Sequence, residues 1–292
     1  MSSTPVQVTP MEHLASVETE RPVGNWVRQV LAIFRLETQK FLWGRRALLM
    51  YALAVLPVFI LVLMVSFPFT SARLARSVVA TEIFAWMFET LILRIMVFFG
   101  CAWIFMNLFR GDVVDRCLHY YFLSPVRREV LVVGKYISGV VAATGLFVTS
   151  TAVSLFLLYV PRGFHQGMDY LLNGPGLKQV VLYLGIVAFA CVGYGAVFLL
   201  VGLIFRNPIF PAIAFLGWET IGFLLPPILK KLSVLHYLKS LTPVPLSEGP
   251  FAIVAEPTPA WISIPGLLIM TAITLFFASI LLRRMEIRYG GE

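Results

Sequence analysis

Residues 109–136 read FRGDVVDRCLHYYFLSPVRREVLVVGKY. This charged stretch sits between two apolar runs, about 83–109 and 130–160, each longer than the roughly 20 residues that cross a bilayer. A polar turn between two such runs belongs to a chain that crosses lipid, turns and crosses back. Outward from it the same alternation continues. Further apolar runs cover about 47–69, 177–205, 208–225 and 261–282. Pro57 falls inside the first, Pro208 opens the fifth, and Pro226-Pro227 stops it. The expected fold is therefore an all-α polytopic membrane protein of six transmembrane helices.

Composition points the same way. Hydrophobic residues make up 59% of the chain and charged residues 13%, about half the charge of a soluble domain. Mean hydropathy is +0.86. The formal net charge of +8 fits Lys and Arg retained on the cytoplasmic side of a membrane. No basic run is interleaved with a soluble aromatic platform, so nucleic acid is not an expected partner. With the N-terminus inside, fifteen of the 23 Lys and Arg fall on cytoplasmic segments, seven fall outside, and Arg94 lies in a span. That bias puts both termini in the cytoplasm. Cys101, Cys117 and Cys191 have no metal-ligand or CxxC spacing, so neither zinc nor a disulfide framework is expected.

Domain organisation follows from the polar breaks. Residues 1–24 are polar, with Pro5, Pro10 and Pro22, and read as a disordered cytoplasmic tail. Residues 25–46 read as an amphipathic interfacial helix. Trp26, Val30, Ile33, Phe34, Phe41 and Leu42 form its apolar stripe, and Arg28, Arg35 and Lys40 reach head groups; a helix packed on protein is the alternative. The transmembrane domain covers 47–282, with a hinge at 110–129 and an outer re-entrant or cap segment at 226–260; 283–292 form a cytoplasmic tail. In the outer segment Ile228, Leu232, Leu235, Leu238 and Leu241 lie on one helical stripe near Lys230, Lys231 and Lys239. Gly139, Ala143 and Gly145 in the third run, and Gly185, Ala188, Cys191, Gly195 and Gly202 in the fourth, are spaced to bring helix backbones together.

Within the hinge, Asp112 and Asp115 precede Arg116, and Val113, Val114, Cys117, Leu118 and Tyr121 can share one apolar side of a short helix. Ser124-Pro125 ends it, because a residue before proline avoids helical geometry. Arg127 and Arg128 meet the head groups, and Gly134-Lys135-Tyr136 enters the next span. The acidic cluster, the Tyr120-Tyr121 turn, SPVRREVLVVGKY and the surrounding architecture together resemble the permease subunits of type-2 ABC exporters. The resemblance extends over nearly the whole chain past residue 25 and rests on Asp112, Asp115, Ser124, Pro125, Arg128, Gly134 and Lys135; the family often carries Glu where the two Asp stand. It implies a half-transporter in the plasma membrane of a prokaryote (the inner membrane if Gram-negative), dimerising with a second copy. It also implies a cytoplasmic ATPase subunit seated on the hinge, with Asp112, Asp115, Arg116, Tyr120, Ser124, Pro125, Arg127 and Arg128 as the coupling residues. No GxxxxGK[ST] occurs in the chain, so ATP and Mg belong to that partner.

Ionisable residues inside spans are costly and are functional candidates. Glu89, Arg94 and Glu219 are such residues. Heights along the helices allow Arg94 to pair with Glu219, or with Glu89 if the second span begins deeper. In the exporter family the path lies between protomers, along the second and fifth spans. Trp86, Phe98, Phe99, Phe215, Trp218 and Phe223 then face an amphipathic substrate. Two other classes compete. A proton-coupled secondary transporter would use Glu89, Arg94 and Glu219 but usually shows an internal repeat, and none is visible. A non-transporting scaffold needs none of these charges. A membrane enzyme built on His119, Asp112 and Asp115 lacks any HExxH or GxSxG.

Overall fold

The computed structural model describes residues 47–114, 128–163, 176–205, 209–222, 226–244 and 259–284, and positions 30, 31, 33–35, 37, 38, 44, 167, 169, 170 and 174. Every regular element among the described residues is helical. In order these are α1 (Ala47–Ser66), α2 (Pro68–Leu74), α3 (Ser77–Met87), a π-helical stretch (Phe88–Val97) and α4 (Phe98–Val114). There follow α5 (Arg128–Tyr159), α6 (Gly176–Ile204), α7 (Ile209–Ile221), α8 (Pro227–Lys230), α9 (Val234–Lys239) and α10 (Ala260–Arg284).

Five helices are long and apolar enough to cross a membrane: Ala47–Ser66, Val79–Phe109, Val130–Tyr159, Gly176–Ile204 and Ala260–Arg284. The chain is a multi-pass membrane protein on that basis. The fifth apolar run, expected as the fifth of six spans, is not among these five. It forms α7, 13 residues long, or about 20 Å at 1.5 Å per residue, against about 30 Å of hydrocarbon. Residues 223–225, which would extend it, lie outside the described residues. Residues 226–244, expected to carry a single helical stripe, also differ. The chain makes α8, turns, and starts α9 after Ser233, whose backbone is extended. That turn leaves Leu232 at 63% exposure, while Val234, Leu235 and Leu238 face inward.

The protein core lies around α4 and α6. In the window of Val79–Phe109 67% of residues are buried, against 17% in that of Ala260–Arg284. Glycine makes this contact possible. A Cβ on Gly202 would lie 2.8 Å from the Met106 Cα, so α4 and α6 touch backbone to backbone there. The Phe105 ring fills the space left by two more glycines: a Cβ would meet it at 2.7 Å from Gly139 on α5 and at 2.6 Å from Gly195 on α6. Ala143 and Cys191 are fully buried. Gly145 and Gly185 have nothing within 4 Å of where a Cβ would stand, so two of the small residues expected at contacts face open space. Two polar side chains bond the backbone of a neighbouring helix, which satisfies them where lipid offers no partner. The Tyr136 hydroxyl donates to the Val192 carbonyl at 2.8 Å, and Ser150 donates to the Ala54 carbonyl.

Candidate functional site

The second long helix carries the site. Between Phe88 and Val97 its winding changes from α to π, in which each N–H bonds five residues back; such segments are frequent at functional sites. Glu89 and Arg94 are five residues apart. The looser winding stacks them, where α winding would set them on different faces. The Arg94 Nη2 lies 3.6 Å from Glu89 Oε1. The same oxygen accepts Lys239 from α9 at 2.6 Å. Arg94 thus lies beside Glu89, the second of the two partners its height allowed. The helix begins several residues ahead of the expected start, at Ser77, so Glu89 lies about three turns into it.

Glu219, near the end of α7 and 5% exposed, belongs to a second polar group. It accepts the Tyr194 hydroxyl at 2.7 Å on one oxygen. On the other it accepts the Ser233 hydroxyl and the Leu235 N–H, each at 3.3 Å. The Leu235 N–H lies in the first turn of α9, where helical donors lack intrahelical partners. One carboxylate therefore ties α6, α7 and the start of α9 together. Tyr194 is fully buried among Phe98 and Phe198, at ring-centroid distances of 5.4 and 6.1 Å.

The aromatic residues expected on a path divide. Trp86 is 63% exposed and Phe99 lies at the exposed boundary. Phe98 is fully buried and stacks on Phe215 at 6.0 Å, so it is core. Phe215 and Trp218 are half-buried; Phe223 lies outside the described residues.

Of the coupling residues, Asp112 falls in the last turn of α4 and Arg128 at the first residue of α5. Asp112 thus prolongs the membrane helix and does not stand on a separate short one. Asp115, Arg116, Tyr120, Ser124, Pro125 and Arg127, with His119 and Cys117, lie outside the described residues. The two ends of the hinge are nonetheless joined. Lys135, wholly buried on α5, donates to the Leu108 carbonyl of α4 at 2.9 Å and to Glu37 Oε1 at 2.7 Å. Its ammonium also lies 5.2 Å from the centre of the Phe109 ring. Glu37 comes from the expected surface helix, helical at the described positions 30, 31, 33–35, 37 and 38. One turn earlier, Ile33 faces Gly134, where a Cβ would stand 3.3 Å from Ile33 Cγ2.

Three residues of these clusters, Glu37, Tyr194 and Ser233, were not singled out from sequence, and a fourth, Lys239, was named without a site role. Glu37 had a signal, since it falls on the apolar stripe one turn after Ile33 and one before Phe41. Lys239 looked like one of several outer positive charges. Among the described residues no group of three or more His, Cys, Asp or Glu is placed to hold a metal. Cys101 and Cys191 are buried and unbridged. No family model, curated protein or solved structure matches the chain.

Proposed function

We propose that the chain is the membrane-spanning permease subunit of an ATP-driven exporter, coupling ATP hydrolysis on a separate cytoplasmic subunit to substrate movement. ATP and Mg then bind that subunit, a second permease copy completes the transporter, and lipid surrounds six crossings with both termini in the cytoplasm of a prokaryote. The observation that supports this reading best is the Lys135 junction. A push on residues 110–129 reaches α4 and α5 at once, because a buried ammonium holds the Leu108 carbonyl and Glu37 within hydrogen-bond distance. Short, fully satisfied polar networks of this kind are stiff. They transmit displacement as tilt and do not absorb it.

A proton-coupled secondary transporter is the second reading. It draws support from Glu89, Arg94 and Glu219 in or beside helices of membrane length. Affinity purification from native membranes in mild detergent separates the two. An ATPase that co-purifies, and is lost when residues 112–128 are replaced by a Gly-Ser linker in folded protein, is the expected result. Folded protein that repeatedly brings down no ATPase overturns the exporter reading and favours the proton-coupled one.

A further inference from the structure

We infer that Arg94 is the receptor for an oxyanion head group, phosphate or carboxylate, on an amphipathic molecule whose apolar part lies along Ile95, Phe99 and Trp103. The inference deepens the transporter reading and rests on it only for the role of that molecule as cargo.

Charge and geometry both point to Arg94. Two cations, Arg94 and Lys239, share one carboxylate, Glu89. Lys239 holds it at 2.6 Å. Arg94 stands 3.6 Å from the same oxygen, beyond the usual range of a hydrogen bond. The other nearby acid, Glu219, spends its hydrogen bonds on Tyr194, Ser233 and the Leu235 N–H, and its charge reaches Arg94 only through space. The Arg94 Nε is buried and has no acceptor among the described residues, and a buried donor left unmade is expensive. Yet the side chain as a whole remains 30% exposed. A guanidinium with its fork unfilled and one face open suits a planar or tetrahedral oxyanion, which it binds through two parallel N–H bonds.

The surface beside it suits an apolar tail. Exposed apolar positions on this helix run Trp86, Ile95, Phe99 and Trp103, with Thr90 half-buried between the first two. The steps are four, five, four and four residues, and the single five falls in the π stretch, so the change of winding keeps the stripe straight. Arg94 lies next to Ile95 at that point. A charged head on Arg94 therefore leaves its chain against Phe99 and Trp103 without crossing a polar residue.

The test uses the full chain in phosphatidylcholine nanodiscs, with tryptophan fluorescence quenched by lipids brominated in the acyl chain. Brominated phosphatidylglycerol is expected to quench half-maximally at about tenfold lower mole fraction than brominated phosphatidylcholine, the worth of one charge-assisted contact. R94Q removes the difference, R94K keeps part of it, and E89Q enlarges it by removing the carboxylate beside Arg94. W103F removes most of the part of the quenching that differs between the two lipids. Equal quenching by both lipids, which a second copy covering the stripe also produces, overturns the inference; so does a difference that survives R94Q. If R94Q fails to fold by gel filtration, E89Q decides: an unchanged preference overturns it. Dodecyl phosphate then separates the sources. Displacement of the brominated lipid supports a single-chain cargo, and no displacement supports a bilayer phospholipid, with Arg94 the receptor in both. None of these readouts involves an ATPase, so failure of the exporter reading leaves them unaffected.

Discussion

Lys135 Nζ lies 2.7 Å from Glu37 Oε1, across 98 residues of sequence, with both side chains buried. A charge pair taken out of water gains little net stability, because desolvation offsets most of the attraction. Its worth lies in specificity: the surface helix has one seat on α5 where its carboxylate is matched. Removing one partner is another matter. K135M leaves the Glu37 carboxylate buried and uncompensated, and is expected to cost about 3–5 kcal/mol. The double variant E37L/K135M is expected to recover most of that loss. Chemical denaturation in detergent measures both; a K135M protein as stable as the wild type would sink the argument.

The Glu89 cluster predicts which charge exchanges are tolerated. E89K is expected to lower the yield of folded protein, and K239E in the same background to restore it, because the 2.6 Å pair is re-formed with reversed sign. The exchange R94E with E219R is expected to restore nothing, since Glu219 bonds Tyr194, Ser233 and Leu235 instead. Fluorescence size-exclusion profiles compare the four variants. Rescue by the second exchange and not the first contradicts the pairing.

Tyr194 and Tyr183 give a matched contrast. Both are buried, but the Tyr194 hydroxyl donates to Glu219, whereas that of Tyr183 has no partner among the described residues. Y194F is expected to cost about 1.5–3 kcal/mol, the range for a hydrogen bond to a charged group. Y183F is expected to be neutral or slightly stabilising. Unfolding midpoints in one detergent suffice, and equal shifts would mean the Tyr194 bond contributes nothing.

Small-residue positions are expected to divide by what stands opposite them. G202L forces a side chain against the Met106 backbone, which cannot rotate away, and overpacking of this kind costs about 1–3 kcal/mol or more. G185L meets nothing within 4 Å and is expected to fold normally. Thermal midpoints that fall equally in both variants would contradict the contact.

Burial pushes the Tyr237 phenol up from its ordinary value of 10.0. A phenol whose pKa is raised on folding favours the protonated state, so its contribution is intact below the unfolded value. That contribution is lost as pH rises through the folded one. The protein is therefore expected to lose stability faster above about pH 10 than Y237F. Identical high-pH profiles for the two proteins would rule this out.

Much of this fold was legible because lipid permits few solutions. Long apolar runs must become helices, and 47–66, 130–159, 176–204 and 260–284 did so close to their expected limits. Legibility failed where length was marginal. Residues 208–225 carry the hydropathy of a span, but α7 holds only 13 residues, and hydropathy does not say whether a run crosses or stops. The site was half legible. Glu89, Arg94 and Glu219 stood out as charges among apolar neighbours, and their heights narrowed the partners of Arg94 to two. What separated those two was winding, and no residue between Phe88 and Val97 announces a π helix. Lys239 was hidden for a different reason: a lysine in a polar outer segment looks solvated until the chain folds it back onto the membrane helix.

The π stretch has a mechanical consequence. A helix wound in one register above Phe88 and again below Val97, with looser winding between, behaves as two shafts joined by a coupling. Converting one π turn to α winding releases one residue from the turn and rotates the lower shaft by about one residue's share, roughly 100°. That rotation would carry Phe99 and Trp103 away from the line of Trp86 and turn the α4 end, with Leu108 and its hold on Lys135, by the same angle. Ten loosely wound residues thus set the angle between the Trp86 part of the helix and the part that carries Phe99, Trp103 and the Leu108 carbonyl.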